Sequence, residues 1–209
     1  MAAIGNWHLF RAQLLETGGE ALWRRAYKER FVERLEYRYF GPIKILKAHD
    51  KQLGEGFSIM TILCAVIEFL ESTRQGKNHR YISRKERKKG IQLRSDEYVD
   101  SSEMFRAFLC RREPFAKTFD DTLAVEFYRS IRCALFHEAQ TKNGWKIRAK
   151  SIDGSLVDRR QKTVFRDDFH RGIVAYVREY EGELIDNIED CQSGFIRKFD
   201  YFASEAAKV

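Results

Sequence analysis

The sequence predicts an all-α protein, an up-and-down helical bundle with one small β-hairpin before its last long helix. Three observations predict it. Trp23, Tyr27, Phe31, Leu35 and Tyr39 recur every fourth position, which lays an apolar stripe along one helix face. From Phe57 to Ser72 the apolar residues cover a broad arc, as they do in a helix packed on several sides. After Asn143-Gly144 the period falls to two, with Trp145, Ile147 and Ala149 alternating with Lys146, Arg148 and Lys150, the pattern of a strand.

The bulk properties fit one domain spanning 1–209. The chain has 209 residues, 16 Phe, 9 Tyr and 3 Trp, enough to build a substantial core. Its two prolines, Pro42 and Pro114, sit at helix boundaries, so no rigid linker is expected. Four cysteines, Cys64, Cys110, Cys133 and Cys191, are widely spaced with no CxxC pair, which reads as reduced, mostly buried thiols. The N-terminus, MAAIGNWHLFRAQLL, has no basic segment followed by a continuous apolar run, unlike a signal peptide. The apolar run from Phe57 to Leu70 is short and carries Glu68, so no membrane span is expected. A cytoplasmic protein is the simplest expectation. The formal charge of +7 favours anionic partners without choosing among RNA, DNA, acidic protein and membrane.

Taken in order, a short helix is expected within residues 1–17, with Ile4, Trp7, Leu9, Phe10, Leu14 and Leu15 packing on the body and Gly18-Gly19 ending it. A long helix follows from Glu20 to Phe40, and Gly41-Pro42 is expected to stop it. The central helix from Phe57 to Ser72 ends in Glu68 and Glu71, which could be salt-bridged to an Arg-rich neighbour but whose spacing reads most simply as a solvated face. Residues 74–94 form a basic stretch. Lys77, Arg80, Arg84, Lys85, Arg87, Lys88 and Lys89 would suit a phosphate backbone, or equally an ordinary solvated surface.

A helix over 98–112 is expected to start on Ser101 or Ser102 and to be limited by Pro114. The next helix, Phe119 to His137, has Asp120 and Asp121 at its positive end. The hairpin is placed at 145–165, turning at Asp153-Gly154. Asp167 or Asp168 then caps the last long helix, which carries Phe169, Ile173, Val174, Val177, Tyr180 and Leu184. The remainder is polar, with Ile188, Phe195, Ile196, Phe199 and Phe202 as docking points.

Chemistry concentrates in Phe127 to Gly144, FYRSIRCALFHEAQTKNG. In a regular helix Arg132 and His137 would point about 140° apart, one on each flank of the buried Ile131 face. Two such helices meeting in a homodimer would converge two arginines and two histidines on one cleft, and Val125 and Phe136 give a partner something to pack on. A histidine can exchange protons with a ribose 2′-hydroxyl or a leaving 5′-oxygen. An arginine fork can hold the scissile phosphate and its developing charge. Arg129 lies one turn earlier for a second phosphate, Glu138 could orient the histidine or pair with an arginine, and Asn143 could border the site or shape the turn. The competing reading is structural, since Arg and His near a helix C-terminus interact well with its dipole.

The pattern Arg132-Cys-Ala-Leu-Phe-His137, following an apolar helix and preceding a glycine turn, resembles the HEPN superfamily, whose signature is an arginine and a histidine separated by four to six residues. The likeness covers roughly residues 20–185: a long first helix, a central second helix and the motif near the end of a later one. It is also similar to bacterial HEPN-like proteins with a hairpin before the last helix. The resemblance implies an all-α homodimer acting as a metal-independent endoribonuclease in toxin–antitoxin, phage-defence or RNA-processing roles, with an antitoxin or other protein as partner. It makes Arg132 and His137 the catalytic candidates. Active members commonly carry a polar residue after the arginine. Here Cys133 stands there, and a thiol hydrogen-bonds weakly. Some members of the superfamily serve only for binding or dimerisation, which is the alternative expectation.

Other chemistries are disfavoured by spacing. His137-Glu138 would need a histidine at 141 to begin a zinc-protease motif, and Thr141 stands there. His49-Asp50 and His170 lack partners at metal-ligand spacing and read as surface or helix-end histidines. No P-loop or dinucleotide glycine motif occurs, so no cofactor and no metal are expected. Cys133 beside His137 could form a nucleophile pair only with a third orienting group, and none is evident.

Overall fold

The computed structural model describes residues 7–49, 54–90 and 92–208. Ile4 and Asp50, and the side chains of Arg87 and Lys89, fall outside what is described. Helix α1, Trp7–Thr17, buries Trp7, Phe10 and Leu14. The Trp7 indole N–H donates to Asp200 Oδ1 at 2.6 Å and Arg11 Nε to Asp200 Oδ2 at 2.9 Å, so the N-terminal helix is fastened to the far end of the chain.

The expected stop at Gly41-Pro42 is overturned. One helical run, α2, extends over 20–48, with α turns interrupted by π turns at Tyr27–Val32 and Glu36–Phe40. The Gly41 N–H reaches back to the Glu36 carbonyl. A Cβ at Gly41 would lie 2.9 Å from that oxygen, so glycine permits the widened turn. Pro42 then begins a fresh α segment, where its missing N–H costs little.

Helix α3, Glu55–Gln75, is the hub, with Ile59, Met60, Leu63, Val66 and Ile67 fully buried. By length and apolarity it would cross a membrane, but 56% of the window concerned is buried inside the fold. It is a core helix, longer than its apolar run suggested.

The basic stretch beyond it is ordered. Strand β1, Asn78–His79, pairs in parallel with β2, Glu97–Tyr98. Between them α4, Arg84–Lys89, starts on a capping box of Ser83 and Glu86.

Helix α5, Ser101–Arg111, is capped by Asp100, not by Ser101 or Ser102: the Asp100 carboxylate accepts from the Ser102 N–H. Helix α6 covers 121–138 and is capped by Asp120, which accepts from Leu123. It widens into a π stretch at Tyr128–Cys133 and closes as α over Ala134–Glu138.

The hairpin at Asp153-Gly154 is replaced by a three-stranded sheet. Strand β3, Lys146–Arg148, runs parallel to β5, Thr163–Phe165, and β4, Val157–Asp158, pairs antiparallel to β5. The order is β3-β5-β4, and the hairpin turns over residues 159–162. Trp145 and Val164 are buried, which sets the face.

Helix α7, Arg166–Ile185, follows β5 directly. Neither Asp167 nor Asp168 caps it. Asp168 instead accepts the Ser151 N–H at 2.6 Å and pairs with Arg171, tying down the loop before β4. Nor is α7 the last helix. Residues 191–206 form α8, Cys191–Ala206, which buries Cys191, Phe195, Phe199 and Ala203 and packs on α1 and α3. These eight helices and small sheets make the described residues an all-α bundle. All four cysteines are free.

His170 is also no surface residue. Its ring packs on Phe40 at 5.3 Å. Burial, aided by Lys47 and opposed by Asp167 and Glu36, pushes it down to about 4. Its folded value lies below its unfolded one, so its stabilising effect is present above about 6.5 and is lost as pH falls through 4. His170→Phe should therefore flatten the fall in unfolding free energy between pH 6.5 and 4 in urea titrations. An unchanged slope would assign that fall to carboxylates alone.

Helices α3 and α8 touch through glycine. A Cβ on Gly194 would come 2.2 Å from the Arg74 carbonyl. Gly194→Ala should force the helices apart and cost about 1–3 kcal/mol, read as a lowered Tm. An unchanged Tm would mean that α8 does not dock there in solution.

Candidate active site

Helix α6 carries the motif, and its π stretch decides where the motif points. Arg132 lies within Tyr128–Cys133, so the regular rotation behind the expected 140° does not apply across that turn. Ser130, fully buried, sits in the same stretch. Its carbonyl accepts the Lys142 N–H at 2.9 Å, and its hydroxyl receives the Asn143 side-chain amide at 2.9 Å. Ala139 and Asn143 adopt left-handed conformations, which folds the 139–144 turn back against α6. Asn143 therefore shapes the turn. Glu138 pairs with Lys142 and not with an arginine, and Lys142 holds its carboxyl below the usual range.

Arg132 is largely covered, its side chain 19% exposed. Its Nη2 donates to Glu68 Oε2 at 3.3 Å. The guanidinium lies 4.7 Å from the Phe136 ring centre and 5.5 Å from that of Tyr128, which adds cation–π attraction. Burial opposes the charge, but Tyr128 and Glu68 outweigh it and hold the guanidinium above its ordinary pKa. Burial pushes the Tyr128 phenol up to about 12. Cys133 is half-buried beside them.

Glu68 gathers the site. Besides Arg132 it accepts from Tyr98 Oη at 3.0 Å and Ser101 Oγ at 2.6 Å. Burial, then Glu68, pushes the Tyr98 phenol far up. The solvated reading of Glu68 and Glu71 is overturned, and the salt-bridged one holds: both carboxylates pair with an arginine. Glu71 is fully buried and grips Arg112 through two bonds of 2.9 and 3.0 Å. A carboxylate on a helix with so little polar surface must find donors. An acid inside an otherwise apolar helix was the available signal for Glu68. Nothing local in the sequence names Tyr98 or Ser101 as its partners.

His137 and Phe136 face solvent, Phe136 at 47% exposure, and Arg129 is exposed beside them. Within one chain Arg132 and His137 share a helix, and Arg132 is bonded to Glu68 and not to His137.

The basic stretch borders this site through β2, whose Tyr98 reaches Glu68. Its cations differ in state. Arg80 is committed to Glu97 at 3.0 Å and Glu86 at 3.3 Å, bonds that fasten α4 to β2. Lys77 is half-buried, and its carbonyl accepts from Lys198 Nζ. Arg84, Lys85 and Lys88 are exposed on α4. Among the described residues, no group of three or more His, Cys, Asp or Glu side chains gathers as metal ligands would.

No protein-family model, curated protein or solved structure matches the chain.

Glu68 keeps two hydroxyl donors when Arg132 is lost, whereas three donors are stranded when Glu68 is lost. Arg132→Ala should therefore cost about 1 kcal/mol and Glu68→Ala about 2–3 kcal/mol in urea unfolding. The double variant should cost less than the sum. Strict additivity would mean that the pair is not formed.

Proposed function

We propose that this chain is a metal-independent endoribonuclease of the HEPN type that works as a homodimer. The observation that carries the reading is the one cluster around Glu68. It joins the motif arginine to the strand that anchors the basic α4, and the motif histidine is exposed on the same helix as that arginine. His137 takes the proton of a ribose 2′-hydroxyl or delivers one to the 5′-oxygen. Arg132, oriented by Glu68 and braced by Tyr128 and Phe136, binds the phosphate between them. Attack by the 2′-hydroxyl leaves a cyclic phosphate and excludes DNA. The exposed Phe136 beside the motif is the surface on which a second copy packs, bringing the partner's pair into the same cleft. A toxin–antitoxin or phage-defence role in the cytoplasm, with an antitoxin or other partner protein, follows from the same resemblance.

Two observations favour a second reading, a non-catalytic module that binds RNA or a partner protein. Glu68 already neutralises Arg132, and Cys133 stands where active members carry a better hydrogen-bonding group.

The test is cleavage of mixed RNAs in chelator by wild type, Arg132→Ala and His137→Ala, with sedimentation to read the oligomeric state. Each substitution should lower the rate by about 10²–10⁴, and the products should end in cyclic phosphate. Equal cleavage by all three rejects the assignment. RNA binding without cleavage by the wild type selects the second reading.

A further inference from the structure

A separate cleft of about 1280 Å³ opens between the start of α3 and the β3-β5-β4 sheet. It is lined by six cations and three carboxylates. The carboxylates are partly spent on local bonds: Asp153 accepts the Ser155 N–H at 3.0 Å and Asp158 the Gln161 N–H at 2.9 Å. Four of the cations, Lys146, Arg148, Lys150 and Arg160, are exposed, and none is held in an ion pair among the described residues. Lys146 and Arg148 sit two apart on β3 and so project on one face, and Lys150, just past the strand, also lines the cleft. The positive end of the long helix α3 opens at the same place. Two aromatic side chains line the cleft, the half-buried Phe165 of β5 and Phe57, which is 40% exposed. The backbone here is closely packed, since a Cβ on Gly56 would meet Ile147 at 3.3 Å, so the floor is a fixed surface.

A row of unpaired cations beside an exposed ring is the chemistry that holds a single strand, with phosphates on the charges and a base on the ring. The volume exceeds that of an ordinary small-molecule site. We infer that this cleft binds single-stranded nucleic acid, with Lys146, Arg148, Lys150 and Arg160 on successive phosphates and Phe57 stacking on a base. The cleft is distinct from α4 and from the Glu68 cluster. Gly56 and Glu68 are twelve residues apart on α3, about 18 Å along the helix, a distance that a short strand spans. The expectation that RNA is the strand held rests on the ribonuclease reading. The cleft itself does not depend on that reading.

The experiment is fluorescence anisotropy with labelled twelve-nucleotide RNA and DNA strands and an RNA duplex, using full-length His137→Ala so that no probe is cut. Arg148→Ala/Lys150→Ala/Arg160→Ala should weaken single-strand binding at least tenfold and reduce the salt slope by about 2. Phe57→Ala should weaken it about tenfold with the salt slope unchanged. The charge-matched Arg84→Ala/Lys85→Ala/Lys88→Ala should weaken it less than the cleft triple does. Circular dichroism confirms that each variant is folded. RNA bound better than DNA supports the RNA expectation, and equal binding overturns that choice alone. The cleft proposal is overturned by no single-strand binding, by duplex binding as tight as single-strand binding, or by equal loss in the two triple variants. Because binding is read without catalysis, failure of the nuclease reading leaves this result standing.

Discussion

Three charged side chains at three-residue intervals on the buried helix α3 organise the bundle. Glu68 receives Tyr98, Ser101 and Arg132. Glu71 grips Arg112 at the end of α5. Arg74, 3% exposed, pairs with Glu183 of α7 and with Glu189, which also receives Arg112. Glu68 and Glu71 therefore hold the two ends of α5, Glu68 holds α6 as well, and Arg74 holds α7. A buried ion pair adds little net stability over an apolar contact, but a broken one is costly. The ladder thus penalises any packing in which one neighbour slips by a turn, while the apolar face of α3 supplies most of the burial.

The candidate site is a product of that ladder. Arg132 is not a free arginine on a helix surface. It is one of three donors to a carboxylate that exists to be satisfied, held between two rings. This makes its guanidinium well placed and permanently charged, and it also gives it a structural duty. The π stretch of α6 has a comparable double character. It turns Ser130 inward to receive the 139–144 turn, and that turn leads into β3 and the basic cleft.

Positive charge is spread over two surfaces. One is α4, joined to the motif region through β2 and Tyr98. The other is the sheet cleft at the opposite end of α3. Arg80 belongs to neither, since its bonds to Glu86 and Glu97 serve the fold. A count of basic residues along the chain does not separate these states, because the difference lies in which carboxylates fold back onto which cations.

The sequence by itself determined the all-α class, the central helix, the change of period at Gly144 and the motif helix, because those depend on the apolar pattern within one segment. It also marked Asp120 at the start of α6, where the capping bond spans three residues. It did not determine that the helix continues past Gly41-Pro42, because a π turn depends on how Gly41 meets Glu36. Nor did it determine that β3 pairs in parallel with β5, since strand partners are chosen across the chain. The partners of Glu68 and Glu71 lie 30 to 64 residues away along the chain. Only tertiary packing brings those donors to a carboxylate that cannot stay buried without them.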